Sequence, residues 1–190
     1  MASRSQAITG PESIKGLTAR SGGGNDYHAM LTAAGASILA MPFNEARPSL
    51  ESGKLGVVQN SFEALVSFRF QEVARFVTVG GGYGTLTIFT PILVSKAAWE
   101  SLSEEERQAL DEAASVSNIY FEASQRESQE AAVEAFTKAG VKVQPLSFEE
   151  YAAWLQIAKE SAWKKYRAVS PRAGELFDAM LKGFIDSGKR

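Results

Sequence analysis

No cysteine occurs among the 190 residues, and there is one histidine, His28. The first absence excludes disulfides, thiolate metal sites and thiol nucleophiles together. It also suits an oxidising compartment, where a stray thiol is a liability. The second leaves any imidazole-based metal site or Ser-His-Asp triad hanging on His28 alone. That residue falls in a predicted helix beside Tyr27, Ala29 and Met30, the setting of an ordinary surface or half-buried position. No apolar run reaches the roughly 18 residues that a membrane span needs, and Met1 to Gly10 lack the apolar core of a secretion signal. An excess of one charge is missing too. Twenty basic against 22 acidic side chains leave a net charge of -2 with no Lys or Arg run. That gives no electrostatic footprint for nucleic acid or an anionic membrane.

What is present is the composition of a packed domain. Hydrophobic residues make up 45% and charged ones 22%, so a core is expected, in one domain or two small lobes. A strand-like patch lies around Leu17 to Arg20, followed by the break Gly22-Gly23-Gly24. Asn25 or Asp26 can cap a helix through Tyr27, Met30, Leu31 and Ala34 that Gly35 ends. Ser37 to Met41 reads as an apolar strand stopped by Pro42. A helix over about Asn44 to Ser52 follows, with Pro48 expected in its first turn, where a missing N–H does least harm. Gly56 to Gln59 is the next buried strand, then come a helix over Phe62 to Phe70 and a strand over Val73 to Val79. This β-α-β-α-β order with short connections predicts a mostly parallel sheet covered by helices.

After Gly80-Gly81-Gly82-Tyr83-Gly84, a glycine-dense stretch suited to a crossing point, Thr85 to Val94 reads as a β-rich run. A capping box, Ser103 with Glu106, opens a helical pattern that continues without Gly or Pro to Gly140. A helix of that length commonly bridges two lobes. Val141 to Gln144 is a short strand. A second capping box, Ser147 with Glu150, opens a helix through Tyr151, Trp154, Leu155, Ala158 and Ala162. A last amphipathic helix follows Pro171 and carries Leu176, Phe177, Met180, Leu181 and Phe184.

The catalytic signatures fail one by one. Gly22-Gly23-Gly24 lacks the Gly-Lys-Ser/Thr ending of a phosphate loop, and Thr85 stands where a dinucleotide fingerprint needs its third glycine. Glu104, Glu105, Glu106, Asp111 and Glu112 crowd the first turns of the long helix, where they complement its dipole as a solvated face. Trp154 and Trp163 are expected in core or interface packing. Nothing assembles a nucleophile, a base and an oxyanion site, so no enzyme, metal or cofactor is expected.

Seven stretches in one order carry a resemblance. Ser13 to Arg20 (SIKGLTAR) is similar to a "DLKGLKIR" signature. Ala34-Gly35-Ala36-Ser37 resembles an "lGA-x-P" step, and Met41-Pro42-Phe43-Asn44-Glu45 a "p-M-x-f-x-E" stretch. Leu50 to Gly53 stands for "A-L-Q-x-G" and Gln59-Asn60 for "E-N". Phe70 to Phe76 matches "f-y-E-V-x-K-y", and Val94 to Ser103 fits "v-S-x-x-x-w-x-x-L-s". These belong to the substrate-binding proteins of TRAP (tripartite ATP-independent periplasmic) transporters, the DctP-like family. The departures are Arg47-Pro48 after the Glu, Gly56-Val57 for "D-G", and no histidine near Gly80 to Gly82.

The resemblance implies a periplasmic binding protein-like two-lobe fold, α/β with a mostly parallel sheet and a long bridging helix, present here in part. Residues 1–80 would form a ligand-binding lobe of β-α-β units and 81–102 a hinge and crossover strand returning to the other lobe. Residues 103–140 would be the bridging helix, and 141–190 a C-terminal strand and helices. Such a lobe pair closes over a small organic carboxylate, which the receptor delivers to the integral membrane permease subunits. Arg20 is implied to make a salt bridge with the carboxylate, a pairing that suits the planar guanidinium. Asn60 is implied to hydrogen-bond the ligand, Phe43 to pack on it, and Gly23, Gln59 and Tyr83 to line the cleft. Family chains carry a signal peptide and most of a first lobe before the DLKGL-like stretch, which here starts at Ser13. The expectation is therefore a chain lacking most of that lobe and showing no signal peptide, periplasmic in its full-length form. The long helix is a homodimer surface in some relatives. The alternatives are a truncated fragment that binds nothing and an intracellular α/β enzyme of unknown reaction.

Overall fold

Strands β1 (Ala2–Ser3), β2 (Thr18–Ser21), β3 (Ser37–Ala40), β4 (Val57–Val58), β5 (Phe76–Val79) and β6 (Lys142–Pro145) form one sheet in the order β3-β2-β4-β1-β5-β6. The computed structural model describes residues 1–21, 28–80, 83–84 and 91–186. Only β1 runs against its neighbours, pairing antiparallel with β4 and β5, while the other pairs are parallel. The molecule is thus mixed α/β with a mostly parallel sheet. β1 is too short and too polar to be legible as a strand.

Alternation along the strands sends successive side chains to opposite faces. Val57 belongs to one apolar cluster and Val58 to the other. On one face, helices α2 (Phe43–Ser52), α3 (Phe62–Ser67) and α5 (Glu104–Lys138) supply buried Leu50, Leu65 and Phe136. On the opposite face, α1 (Ala29–Ala33) and α6 (Phe148–Glu160) supply Leu31 and Trp154. Each such side chain stabilises the fold by about 1.5–3 kcal/mol when fully buried. The Trp154 indole N–H donates to the Thr9 carbonyl at 2.5 Å, which also ties α6 to the start of the chain.

Several expectations need correction. Helix α2 starts at Phe43, so Pro48 lies inside it and not in its first turn. A short helix closed by Gly53 in the left-handed region (φ 82°) tolerates the one lost bond. The helix expected over Phe62 to Phe70 stops at Ser67, because Arg69 turns left-handed (φ 58°) before a 3-10 turn at Phe70–Glu72. The run Thr85 to Val94 falls partly outside the described residues, and 91–94 form no strand, with Ile92 and Leu93 exposed. The helix through Ala162 divides at Ser161 (φ -120°, ψ -86°) into α6 and α7 (Ala162–Ala168). Short α4 (Lys96–Ser101) leads into α5, and α8 (Pro171–Asp186) packs back on α7. Helix α5 has 35 residues and buries Ala132 and Phe136 in its C-terminal third.

Candidate functional site

All five parallel-running strands end at one edge of the sheet, the place where open α/β sheets hold ligands. β2 and β4 pair with Ala19 beside Val57, so Arg20 comes level with Val58, just before Gln59 and Asn60. Ala2 of β1 faces both Val58 and Val77, which puts Thr78 and Val79 of β5 level with Gln59 and Asn60. This register, set by short buried strands, assembles the site.

Above the ends of β4 and β5 lies a cavity of about 670 Å³, walled by Gln59, Asn60, Ser61, Thr78 and Tyr83 and on its far side by α5. Gln59 and Thr78 are buried, and the Thr78 hydroxyl donates to the Ile8 carbonyl at 2.6 Å. Asn60 is half-buried, and its Oδ1 accepts from the Ser61 amide at 2.8 Å, which fixes the amide plane. The Met1 α-amino group donates to the Thr78 carbonyl at 3.0 Å, and burial pushes its pKa from 8.0 down to about 5.

Arg20 and Phe43 form a second group on the same edge, outside that cavity wall. Arg20 is buried, 8% exposed as a residue. Its Nε donates to the Met41 carbonyl at 3.0 Å, and its guanidinium carbon sits 5.1 Å above the Phe43 ring. Phe43 in turn stacks on Phe70 (centroids 5.4 Å) and meets Phe68 edge-on (4.7 Å). Burying a guanidinium is costly without hydrogen bonds, so this seat is a built feature of the fold.

Of the residues expected at the site, Gln59, Asn60 and Tyr83 share the cavity, and Arg20 and Phe43 pair beside it. Gly23 lies outside the described residues. Sequence reasoning missed Thr78 and the wall from α5, where Phe121, Gln125 and Gln129 recur at every fourth position on one helix face. That periodicity was the available signal. Arg126, also on this wall, is mostly exposed and 3.8 Å from Glu122. Among the described residues, with Glu63 and Glu122 also lining it, the cavity wall carries two carboxylates against one guanidinium. Arg20 is a buried cationic residue at this edge. His28 is half-buried at the start of α1, away from the cavity lining.

Residues 1–168 match the family model of the bacterial extracellular solute-binding proteins, family 7. A solute-binding protein of Albidiferax ferrireducens is 31% identical over 177 residues, 93% of this chain and 52% of that one. The C4-dicarboxylate-binding periplasmic protein DctP of Rhodobacter capsulatus is 28% identical over 152 residues, covering 79% and 44%. Among solved structures, a TRAP periplasmic solute-binding protein from Rhodoferax ferrireducens with bound malonate superposes with a TM-score of 0.83. It is 27% identical and covers 98% of this chain and 58% of the other. The chain spans about half the length of the curated relatives it matches. Among the described residues no helix is long and apolar enough to cross a membrane.

Proposed function

This chain belongs to the bacterial extracellular solute-binding proteins of family 7, and we propose that it holds a small organic carboxylate for a TRAP-type transporter in the periplasm. The observation that carries the reading is the buried Arg20 at the carboxyl edge of the sheet, level with Val58 of the strand that leads to Asn60. Its Nε is oriented by Met41 and its face by Phe43. A planar, pre-oriented fork matches a carboxylate through two parallel hydrogen bonds. Asn60 offers a neutral amide donor at the same sheet edge, and with Gln59 and Tyr83 it lines the neighbouring cavity. Relatives whose ligands are malonate or C4-dicarboxylates support that ligand class.

The same proposal makes residues 1–80 the ligand-binding lobe, 81–102 the hinge and crossover, α5 the helix that bridges to a second lobe, and 141–190 the C-terminal strand and helices. Delivery goes to the integral membrane permease subunits. A homodimer would use the exposed Val116, Ile119 and Tyr120 of α5, and light scattering reads it out. The relatives are solute-binding proteins, and the reading assigns no reaction.

A thermal-unfolding screen against mono- and dicarboxylates, including malonate, tests the binding. A carboxylate should raise the midpoint of the wild-type chain by mass action, and Arg20→Ala should abolish that rise. Equal stabilisation of Arg20→Ala by the same acid would defeat the assignment.

A further inference from the structure

We propose that Tyr151 is a positioning residue for the cavity: set at the start of α6 by the Ser147–Glu150 capping box, its ring holds Tyr83 on the cavity wall, so that ligand choice there is governed from α6. The proposal rests on the carboxylate-receptor reading and adds to it a residue outside the cavity lining.

The chain of contacts is continuous. β6 ends opposite Val79, and the Leu146 amide donates to the Val79 carbonyl at 2.9 Å, so the approach to α6 is tied to the end of β5. Ser147 accepts from the Glu150 amide at 3.2 Å, and Glu150 accepts from the Ser147 amide at 2.7 Å. That reciprocal cap fixes the first turn, and Tyr151 follows it directly, its amide bonded to the Ser147 carbonyl at 3.0 Å. The Tyr151 ring then stacks on Tyr83, centroids 4.9 Å apart and planes 17° from parallel, with Phe148 tilted against Tyr83 at 5.9 Å.

The backbone of Tyr83 is held from the other side. Its amide donates to the Gly80 carbonyl at 2.8 Å. A Cβ at position 80 would come within 1.6 Å of the Tyr83 carbonyl oxygen, so only glycine allows this close approach. The stack is not core packing. Tyr83, Phe148 and Tyr151 belong to neither apolar cluster, and Phe148 is 64% exposed. Tyr83 and Tyr151 are half-buried and Phe148 is largely exposed, so the three rings meet at a rim, where they orient one another. Holding a side chain in its bound pose before the ligand arrives lowers the ordering cost of binding.

Titration calorimetry of the 190-residue chain with malonate and with succinate tests this. Tyr151→Ala should bind roughly threefold to tenfold more weakly, the range expected for one aromatic stack. Tyr151→Phe should bind as wild type does. Tyr151→Leu keeps the bulk without the ring, serves if the alanine variant fails to fold, and should weaken binding as well. The double variant Tyr83→Ala, Tyr151→Ala should bind no more weakly than Tyr83→Ala alone, since Tyr151 acts through Tyr83. As a control, Phe177→Ala breaks the Trp163–Phe177 contact (5.2 Å) away from the cavity. It should lower the unfolding midpoint and leave affinity unchanged. Wild-type affinity in both Tyr151→Ala and Tyr151→Leu, or additive losses in the double variant, would overturn the inference alone. A wild-type chain that binds neither acid would overturn the receptor reading and this inference with it.

Discussion

Arg20 sits in surroundings that constrain it more than a solvent-exposed arginine would be. Its Nε–Met41 bond and its place over Phe43 fix the guanidinium plane, and each contact depends on arginine chemistry. Lysine keeps the charge but is a point donor on a flexible stem, with no fork and no planar face. Arg20→Lys should therefore keep the fold and lose carboxylate affinity by about tenfold or more, measured by calorimetry. Unchanged affinity would show that charge alone suffices. Arg20 and Phe43 were each singled out in the sequence as expected ligand contacts, but the contact between them was not legible there. It follows from the parallel register that sets Arg20 opposite Leu39, with Met41 and Phe43 just beyond, and spacing along a chain does not encode register. Thr78 escaped notice for the same reason, since its position beside Gln59 comes through β1.

Among the elements, those with explicit end signals were the legible ones. Both capping boxes form as read, at Ser103–Glu106 and Ser147–Glu150. The elements that departed from expectation lacked such signals or hid them. Arg69 and Ser161 break helices through backbone angles that their side chains do not advertise. Pro48 is carried inside α2, which runs from Phe43 to Ser52, at the sixth position of the helix. The cap of α5 also has a pH signature. Hydrogen bonds to Glu106 from Ser103, first from its backbone amide and then from its hydroxyl, hold this carboxyl below 4.5. The stabilisation is thus fully present above about pH 4.5 and is lost as pH falls through the lower folded value. Amide protection factors in the first turn of α5, taken relative to the unstructured exchange rate at each pH, should fall in that acid window, and Glu106→Gln should remove that pH dependence. A first turn that stays equally protected at pH 3 would contradict the cap's role. Ser103→Ala should fray the same turn at a cost of about 1 kcal/mol.

In the whole molecule, distant parts of the chain close one structure. β6 pairs with β5 along four residues, and Trp154 hydrogen-bonds Thr9 from a fully buried position. Trp154→Ala removes that bond and leaves a large void, and should cost about 3–5 kcal/mol in urea unfolding while the cavity-lining residues stay in place. A loss well under 1 kcal/mol would mean that α6 is not integral to the sheet. Apolar clusters thus cover both faces of the sheet whose carboxyl edge carries Arg20 and Asn60. The most direct test of the account is a crystal structure of the chain soaked at saturating malonate. It should place a ligand carboxylate in paired hydrogen bonds of about 2.7–2.9 Å to the Arg20 guanidinium, with Asn60 in reach. Malonate seated elsewhere, with Arg20 contacting only protein, would contradict it.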